Sequence, residues 1–285
     1  MTAATATGPA ATVRGAPLGR LLGAELRWVL RRPRTIAFLV LFALVPVVIG
    51  AGVAIADRAG GPGRGLIGAV AGNGLVLPVA ALTVSLALLL PLAVAMAAAD
   101  ALAGESAAGT LRGLLVAPVG RLRLVVMKAF GVLVVAAAAT LVIAVLGVLC
   151  GLVVVGWAEG QMVTLSGTTL GFGEAMGRVA LAAAWTTGQL LAVGAVALAV
   201  SSLTEHPLVV LAAVLGGVIV SGVLAAIPAL SWLQPYLLTT GWSAGADVLR
   251  DPLPLDGLGE STLRALCYLV VGAGVTVARM LRRDA

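Results

Sequence analysis

The chain has 285 residues, of which 61% are hydrophobic and only 11% are charged. Soluble domains carry about a quarter charged residues, so this composition excludes an ordinary soluble domain. The formal net charge of +6 comes from basic residues scattered between apolar runs, with no nucleic-acid-binding motif, so we expect no nucleic-acid partner.

Apolar runs of roughly 20 residues or more recur along the chain, and this is the length that a helix needs to cross the hydrocarbon core. The runs do not alternate apolar and polar residues as the strands of a membrane β-barrel do. Together with a mean hydropathy of +1.13, they predict an all-α integral membrane protein. Six transmembrane helices are expected at about residues 35–56, 75–99, 124–155, 179–200, 208–227 and 263–280.

Two segments precede the first predicted span. Residues 1–17 are small, polar and punctuated by Pro and Gly, which predicts a disordered tail. Residues 18–34 follow an amphipathic helical pattern, which predicts an interfacial helix lying in the membrane surface. Glu25 and Arg32 interrupt its apolar face, and a merely charged flank before the first span is the alternative. The apolar face holds Leu18, Leu21, Leu22, Leu26, Trp28 and Val29, and the opposite face holds Arg20, Arg27 and Arg31.

The positions of the basic residues predict the orientation of the chain. With the N-terminus inside, most of the 18 Lys and Arg residues lie at the cytoplasmic ends of the spans, as the positive-inside rule requires. An even number of spans then places both termini in the cytoplasm. Lys128 is the single lysine, and Ala, Gly, Val and Arg are abundant, which indicates a GC-rich bacterial genome and a bacterial inner membrane.

The segment between the second and third predicted spans carries the most information. Residues 99–115 are expected to continue as a helix beyond the bilayer, and Pro118 then turns the chain. Lys128, Arg121 and Arg123 are expected among the lipid headgroups. The order Glu-x-x-x-Gly-Thr-Leu, a Leu-Leu pair, Pro-Val-x-Arg and a following Lys resembles the first cytoplasmic loop of ABC-2-type transporter permeases. The matching residues are Glu105, Gly109, Thr110, Leu111, Leu115, Pro118, Val119, Arg121 and Lys128.

The resemblance extends in outline over residues 18–285, as one ABC-2-type transmembrane domain with an N-terminal elbow helix and six spans. It also includes a long extracellular segment before the sixth span, here residues 230–262. It implies a coupling helix between spans 2 and 3 that docks on a separately encoded ATPase subunit. It further implies a second copy of the chain or a homologous permease. An ordinary amphipathic loop with headgroup arginines is the alternative to a coupling loop.

Two further sets of residues are weaker candidates. The short loop between the fourth and fifth spans holds Thr204, Glu205 and His206, which would form a second cytoplasmic contact with the ATPase. Thr186 and Gln189 are polar residues inside the fourth span and are candidates for the substrate path. The apolar spans suit a hydrophobic or amphipathic cargo such as a drug, an antibiotic or a lipid. Small-residue pairs at Gly188 and Ala192, and at Gly217 and Ser221, are expected to favour helix packing.

The chain lacks the Gly-x-x-x-x-Gly-Lys-Ser/Thr motif, so no catalytic residue and no cofactor are expected in it, and ATP and magnesium would bind in the partner subunit. One histidine and no Cys-x-x-Cys pair argue against a metal site. An ion-coupled secondary transporter is an alternative, although the spans contain almost no acidic residues. A membrane-embedded enzyme is a further alternative, but Asp100 has no partner nearby in the sequence.

Overall fold

The structure is a computed structural model that describes residues 18–58, 73–109, 120–154 and 161–282. The predicted tail, residues 1–17, lies outside this range. The described residues form α1 (Leu18–Arg31), α2 (Pro33–Arg58), α3 (Leu77–Leu86), α4 (Leu89–Ala101), α5 (Ala103–Ala107), α6 (Arg121–Val154), β1 (Gln161–Val163), β2 (Thr169–Gly171), α7 (Phe172–Leu203), α8 (Pro207–Ala225) and α9 (Leu255–Arg282). Three 3-10 helices cover Gly74–Val76, Pro228–Tyr236 and Leu238–Leu249.

Six helices in the described part of the chain are long and apolar enough to cross a membrane. The prediction of an all-α integral membrane protein with six spans is therefore confirmed. Two of these helices begin earlier than predicted, at Phe172 and Leu255, because polar residues extend each helix beyond its apolar run. The six are Pro33–Ala56, Leu89–Ala107, Arg121–Val154, Phe172–Leu203, Pro207–Ala225 and Leu255–Arg282.

The amphipathic segment before the first span is a separate helix. α1 ends at Arg31, and α2 begins at Pro33, where a proline suits the first turn because its missing N–H would have no helical partner. Glu25 and Val29 are buried on one side of α1, whereas Leu26 and Trp28 remain partly exposed. The side chains that interrupt the apolar face therefore help to anchor the helix.

The second predicted span is not one continuous helix, so that part of the prediction is wrong. Ala87 and Leu88 form a turn between α3 and α4, and Leu88 has φ −152° and ψ −45°. Leu102 interrupts the chain again before α5, and Gly109 ends the described segment with φ 70°. The expected helix over residues 99–115 is therefore broken at Leu102, and residues 110–119 lie outside the described range.

A β-hairpin that the sequence analysis missed lies between α6 and α7. Met162 pairs with Leu170 in the antiparallel register of β1 and β2. The backbone N–H of Leu165 donates to the carbonyl of Leu249, so the hairpin rests on the 3-10 helix that precedes α9. Asp251 accepts hydrogen bonds from the Thr168 hydroxyl at 3.1 Å and from the Arg178 guanidinium at 3.3 Å. These contacts connect the β-hairpin and the first part of α7 to the segment that precedes α9.

Glycines allow the closest helix contacts in the described bundle. A Cβ at Gly272 of α9 would lie 2.6 Å from the backbone carbonyl carbon of Ala195 in α7, and a Cβ at Gly147 would meet Pro78 at the same distance. By contrast, a Cβ at Gly188 or Gly217 would meet nothing within 4 Å. The glycines of the two predicted small-residue pairs therefore make no close helix contact within the described part of the chain, although Ala192 is buried.

Candidate functional site

One face of α1 packs against the first turns of α6. Val29 and Glu25 point toward Gly131, where a Cβ would lie 3.1 Å from the Glu25 Oε1 and 3.4 Å from the Val29 Cγ2. Glycine at position 131 therefore leaves the space that the Glu25 carboxylate occupies. This packing brings a carboxylate of α1 to the side of α6, one turn after Lys128.

Lys128 connects three helices. Its Nζ lies 2.5 Å from the Glu105 Oε1 on α5 and 3.6 Å from the Glu25 Oε1 on α1. The Trp28 ring lies beneath the ammonium group, with its centroid 5.2 Å away. The residue is only 3% exposed, so its expected position among lipid headgroups is wrong. Two carboxylates and an aromatic face compensate for its desolvation and hold it inside the protein.

A second ionic group lies beside the first. Arg32 Nη1 donates to Asp100 Oδ2 at 3.1 Å, and Arg34 Nη1 lies 3.3 Å from Asp100 Oδ1. The Arg32 guanidinium also stacks 3.4 Å from the Trp28 ring centroid. Asp100 therefore has two basic partners that are far away in the sequence, which inspection of neighbouring residues could not reveal. The connection between α1 and α2 places both arginines at the end of α4.

We call Glu25, Arg32, Arg34, Asp100, Glu105 and Lys128 the junction cluster. Its three basic and three acidic residues connect α1, the start of α2, the end of α4, α5 and α6. Burial raises the pKa of the Glu25 carboxyl above its ordinary value of 4.5, and the nearby Glu105 raises it further, while Lys128 opposes both effects. The Lys128 ammonium group lies closer to the carboxylate of Glu105 than to that of Glu25. It therefore attracts the Glu25 carboxylate less strongly than the Glu105 carboxylate.

The raised pKa of Glu25 predicts a pH-dependent component of stability. Since the native pKa lies above 4.5, the stabilisation is fully present below about pH 4.5 and is lost as the pH rises through the native pKa. We expect Glu25→Gln, which cannot titrate, to remove this decline. Thermal unfolding in detergent across that pH range measures the effect, with Glu260→Gln in the exposed pair with Arg264 as the control. An unchanged pH profile in Glu25→Gln would contradict the assignment.

The junction cluster borders an open cavity of about 910 Å³. Trp28 and other residues of α1 form one wall together with Met127 of α6, and Gly104 of α5 and the following Ala108 form another. Apolar and charged side chains both line this cavity. The end of α5 therefore lies beside this cavity, next to the charged residues that hold α5 in place.

The structure describes only part of the predicted coupling loop. Glu105 belongs to the junction cluster and Gly109 follows α5, whereas Arg121 is the first residue of α6. The Arg121 guanidinium donates to the carbonyl of Leu281 at 2.7 Å, which connects α6 to the end of α9. The remaining members lie outside the described residues; they are Thr110, Leu111, Leu115, Pro118 and Val119.

The predicted second contact lies at the same end of the bundle. Thr204 Oγ1 accepts a hydrogen bond from the backbone N–H of His206 at 3.2 Å, and α8 begins directly afterwards. Glu205 and His206 are exposed. The Ser201 hydroxyl, one turn before this loop, accepts from the backbone N–H of Ala103 at 3.0 Å. This bond connects the end of α7 to the start of α5, and the sequence analysis did not anticipate it.

The two substrate-path candidates are buried inside the described bundle. Thr186 is 2% exposed and Gln189 is 1% exposed, both on the same side of α7. Next to Thr186, the Thr187 hydroxyl of α7 and the Thr140 hydroxyl of α6 lie 2.8 Å apart and form a hydrogen bond between the two helices. From the sequence, Thr140 and Thr187 are simply polar residues within two different predicted spans. No local sequence pattern shows that their hydroxyls meet across the two helices.

Comparison with known proteins identifies the family. No curated protein matches the chain. The model for the ABC-2 family transporter protein matches residues 20–241, which include the junction cluster and five of the six candidate spans. The match covers well over half of the chain and agrees with the resemblance found in the first cytoplasmic loop. The chain therefore belongs to the ABC-2 family of transporter proteins and is a multi-pass membrane permease of that family.

Proposed function

We propose that this chain is the transmembrane subunit of an ATP-driven ABC exporter, which moves a hydrophobic or amphipathic substrate out of the cell. A separate ATPase subunit supplies the energy. The single observation that carries this proposal is the position of Lys128, which holds α1, α5 and α6 together next to the predicted coupling loop. A force applied at α5 would therefore reach two other helices directly.

The charge distribution supports a cytoplasmic location for this end of the bundle. Basic residues of α1, α6 and α9 lie here, and they include Arg27, Arg123 and Arg282. The positive-inside rule favours the cytoplasm for such an end. Both termini then lie in the cytoplasm of a bacterial cell, and the β-hairpin faces outward.

The junction cluster is suited to transmit movement between helices. Buried ion pairs resist separation because a charge left without its partner in a low-dielectric site is costly. Displacement of α5 would move Glu105, and Lys128 would then move α6 or break its contact with Glu25. We propose that closure of the ATPases uses this connection to shift the spans from an inward-open to an outward-open arrangement.

The ATPase would contact residues 109–121 and the exposed loop at Thr204, Glu205 and His206. Gly109 follows α5, and the Ser201 hydroxyl bonded to the backbone of Ala103 connects α5 to the end of α7, where the exposed loop begins. The open cavity beside Trp28 and Met127 offers an additional surface for the partner. ATP and magnesium would bind in that partner, which carries the nucleotide chemistry.

Assembly and cargo follow from the exposed surfaces of the spans. α8 buries little of its apolar surface within the chain, which suits contact with a second copy or with a homologous permease. Thr186 and Gln189 would act on the substrate path by positioning the α7 wall. The acidic side chains of the junction cluster lie in α1 and at the end of the second span and are paired with basic residues, which favours ATP-driven transport over proton coupling through the spans.

Co-purification in mild detergent tests this proposal. We expect a stoichiometric ATPase to remain bound to the wild-type chain, and we expect Glu105→Gln with Leu115→Ala to reduce retention about tenfold, equivalent to about 1.4 kcal/mol. Glu105→Gln alone should retain more of the ATPase but lower its substrate-stimulated hydrolysis, because the contact with Lys128 is weakened. Mass spectrometry and ATP hydrolysis measure the two effects.

Asp251→Asn provides the matched control. It alters an ion pair with Arg178 at the opposite end of the bundle, so ATPase retention should equal that of the wild type. A folded wild-type chain that retains no ATPase, with or without nucleotide, would contradict the proposal. Transport driven by a proton or sodium gradient in vesicles would then favour the secondary-transporter alternative.

A further inference from the structure

A second cavity lies far from the junction cluster, between α7, α8, α9 and the 3-10 helix Leu238–Leu249. It measures about 140 Å³, and its apolar walls include Val193, Val214 and Val218. Gly217 of α8 also lines it, about 15 Å along the helix axis from Pro207. The hydrocarbon core is about 30 Å thick, so this cavity lies near the middle of the membrane-spanning region. The part of the 3-10 helix that lines it therefore lies deeper than the extracellular position expected for residues 230–262.

Two polar side chains of the 3-10 helix line the cavity without a hydrogen-bond partner. Thr239 and Trp242 are three residues apart, and a 3-10 helix has three residues per turn, so both lie on one face. The Thr239 Oγ1 and the Trp242 Nε1 are buried and have no partner within the described residues. Trp242 is 7% exposed. This face of the helix therefore offers two hydrogen-bond donors to a single site.

Neighbouring side chains of the same types are paired, whereas Thr239 and Trp242 belong to the small set of buried side chains in the described residues that have a polar atom without a partner. The Thr240 hydroxyl donates to the carbonyl of Gln234 at 2.7 Å. The Trp185 Nε1 donates to the Ser261 hydroxyl at 3.2 Å. Water is scarce at this depth, where polar groups are almost always paired within the protein. An acceptor that enters the cavity would supply the missing partner for Thr239 or Trp242.

We propose that this cavity binds an uncharged lipophilic molecule that carries a hydrogen-bond acceptor, such as a ketone or ester carbonyl. Among the residues that the structure describes, those lining the cavity carry no charge, which argues against recognition of an ionic group. A cavity of about 150 Å³ accommodates benzene, so 140 Å³ holds one ring or a short acyl segment. The rest of the molecule extends through the opening of the cavity. The ligand is either a cargo molecule or the ester region of a membrane lipid, and binding itself requires no ATPase.

Photolabelling with benzophenone tests the site, since this probe is an uncharged aromatic ketone. The full chain in lipid nanodiscs is irradiated with the probe, and the labelled peptides are identified by mass spectrometry. We expect labelling to concentrate on the lining segments of α8 and the 3-10 helix. Thr239→Val keeps the shape and removes a donor, and Trp242→Phe removes a donor but keeps an aromatic ring, so each should lower labelling about three- to tenfold.

Trp232→Phe is the matched control, because Trp232 is 66% exposed in the preceding 3-10 helix and does not line the cavity. Labelling of this variant should equal that of the wild type. Diphenylmethane, which lacks the carbonyl, should compete less well than unlabelled fluorenone. Labelling spread evenly over the lipid-facing helices, or unchanged in both cavity variants, would overturn the proposal.

Nanodiscs of ester-linked and ether-linked phosphatidylglycerol distinguish the two sources of the ligand. Weaker labelling in the ester-linked lipid supports the site with the lipid carbonyl as its occupant. Equal labelling in the two lipids, lost in Trp242→Phe, supports the site with a cargo molecule as its occupant. Either result is independent of ATPase binding, so failure of the exporter proposal and failure of this site are distinguishable.

Discussion

Replacing Lys128 with methionine is expected to lower the free energy of unfolding by about 3–5 kcal/mol, the usual cost of leaving a buried charge without its partner. The substitution removes the ammonium group from between Glu25 and Glu105 and keeps most of the apolar volume. Two partly buried carboxyls then face each other without a counter-charge. The pKa of Glu25 should rise further, because Lys128 is the main group that lowers it. Denaturant titration in detergent measures the loss.

Two variants separate charge from shape in this experiment. Lys128→Arg keeps the positive charge, so it should lose much less stability than Lys128→Met. The triple substitution Glu25→Gln, Lys128→Met and Glu105→Gln removes the charges together and should recover a large part of the loss, as replacement of a whole buried ion pair does. A Lys128→Met chain as stable as the wild type would show that the ammonium group does not hold the junction together.

The second large effect is expected at Gly151 of α6. A Cβ at this position would overlap the backbone carbonyl of Gly74, and a Cβ at Gly74 would overlap the carbonyl of Gly151. The two backbones are therefore in direct contact, with no flexible side chain to yield. We expect Gly151→Ala to displace the 3-10 helix Gly74–Val76 from α6 and to cost about 1–3 kcal/mol. Thermal unfolding of the purified chain measures this.

Gly188→Ala is the control for the general effect of alanine in a helix. A Cβ at Gly188 meets open space, so alanine there should raise the free energy of unfolding by about 0.5–1 kcal/mol through reduced chain entropy. A lower free energy of unfolding in Gly151→Ala together with a higher one in Gly188→Ala would confirm the close contact between Gly151 and Gly74. Equal effects would show that α6 and the Gly74–Val76 segment separate without cost.

The two proposed sites have different roles in one transport cycle. In the proposed cycle the junction cluster would transmit movement at the end where α1, α5 and α6 meet, whereas the cavity beside Thr239 and Trp242 would hold a ligand near the membrane centre. α8 lines this cavity and also begins next to the exposed His206 loop. A movement of that loop would therefore change the shape of the cavity, since α8 is a continuous helix over its length.

Much of the architecture follows from the sequence because its causes are local. A bilayer imposes a minimum length on each apolar run, so the number of spans can be read from the apolar runs of the sequence, and the period of α1 shows which residues share a face. Pro33 marks the start of α2, and the order of residues from Glu105 to Lys128 indicates the family. What the sequence could not supply is any contact between distant residues. Glu105 and Lys128 are 23 positions apart, and Arg32 and Asp100 are 68 apart.

The tertiary structure decided which polar groups are paired and which are not. Lys128 would face headgroups if α6 stood alone, but α1 and α5 bring carboxylates to it and exclude lipid. The break at Leu88 has a local cause that the sequence analysis overlooked, because Pro91 lacks the N–H that would bond to the carbonyl of Ala87. The contact of the β-hairpin with Leu249 has no local signal, because it joins residues far apart in the sequence. Thr239 and Trp242 become a candidate site only because a folded 3-10 helix aligns them beside a cavity. Local periodicity determines elements, whereas the pairing of buried polar atoms depends on three-dimensional proximity.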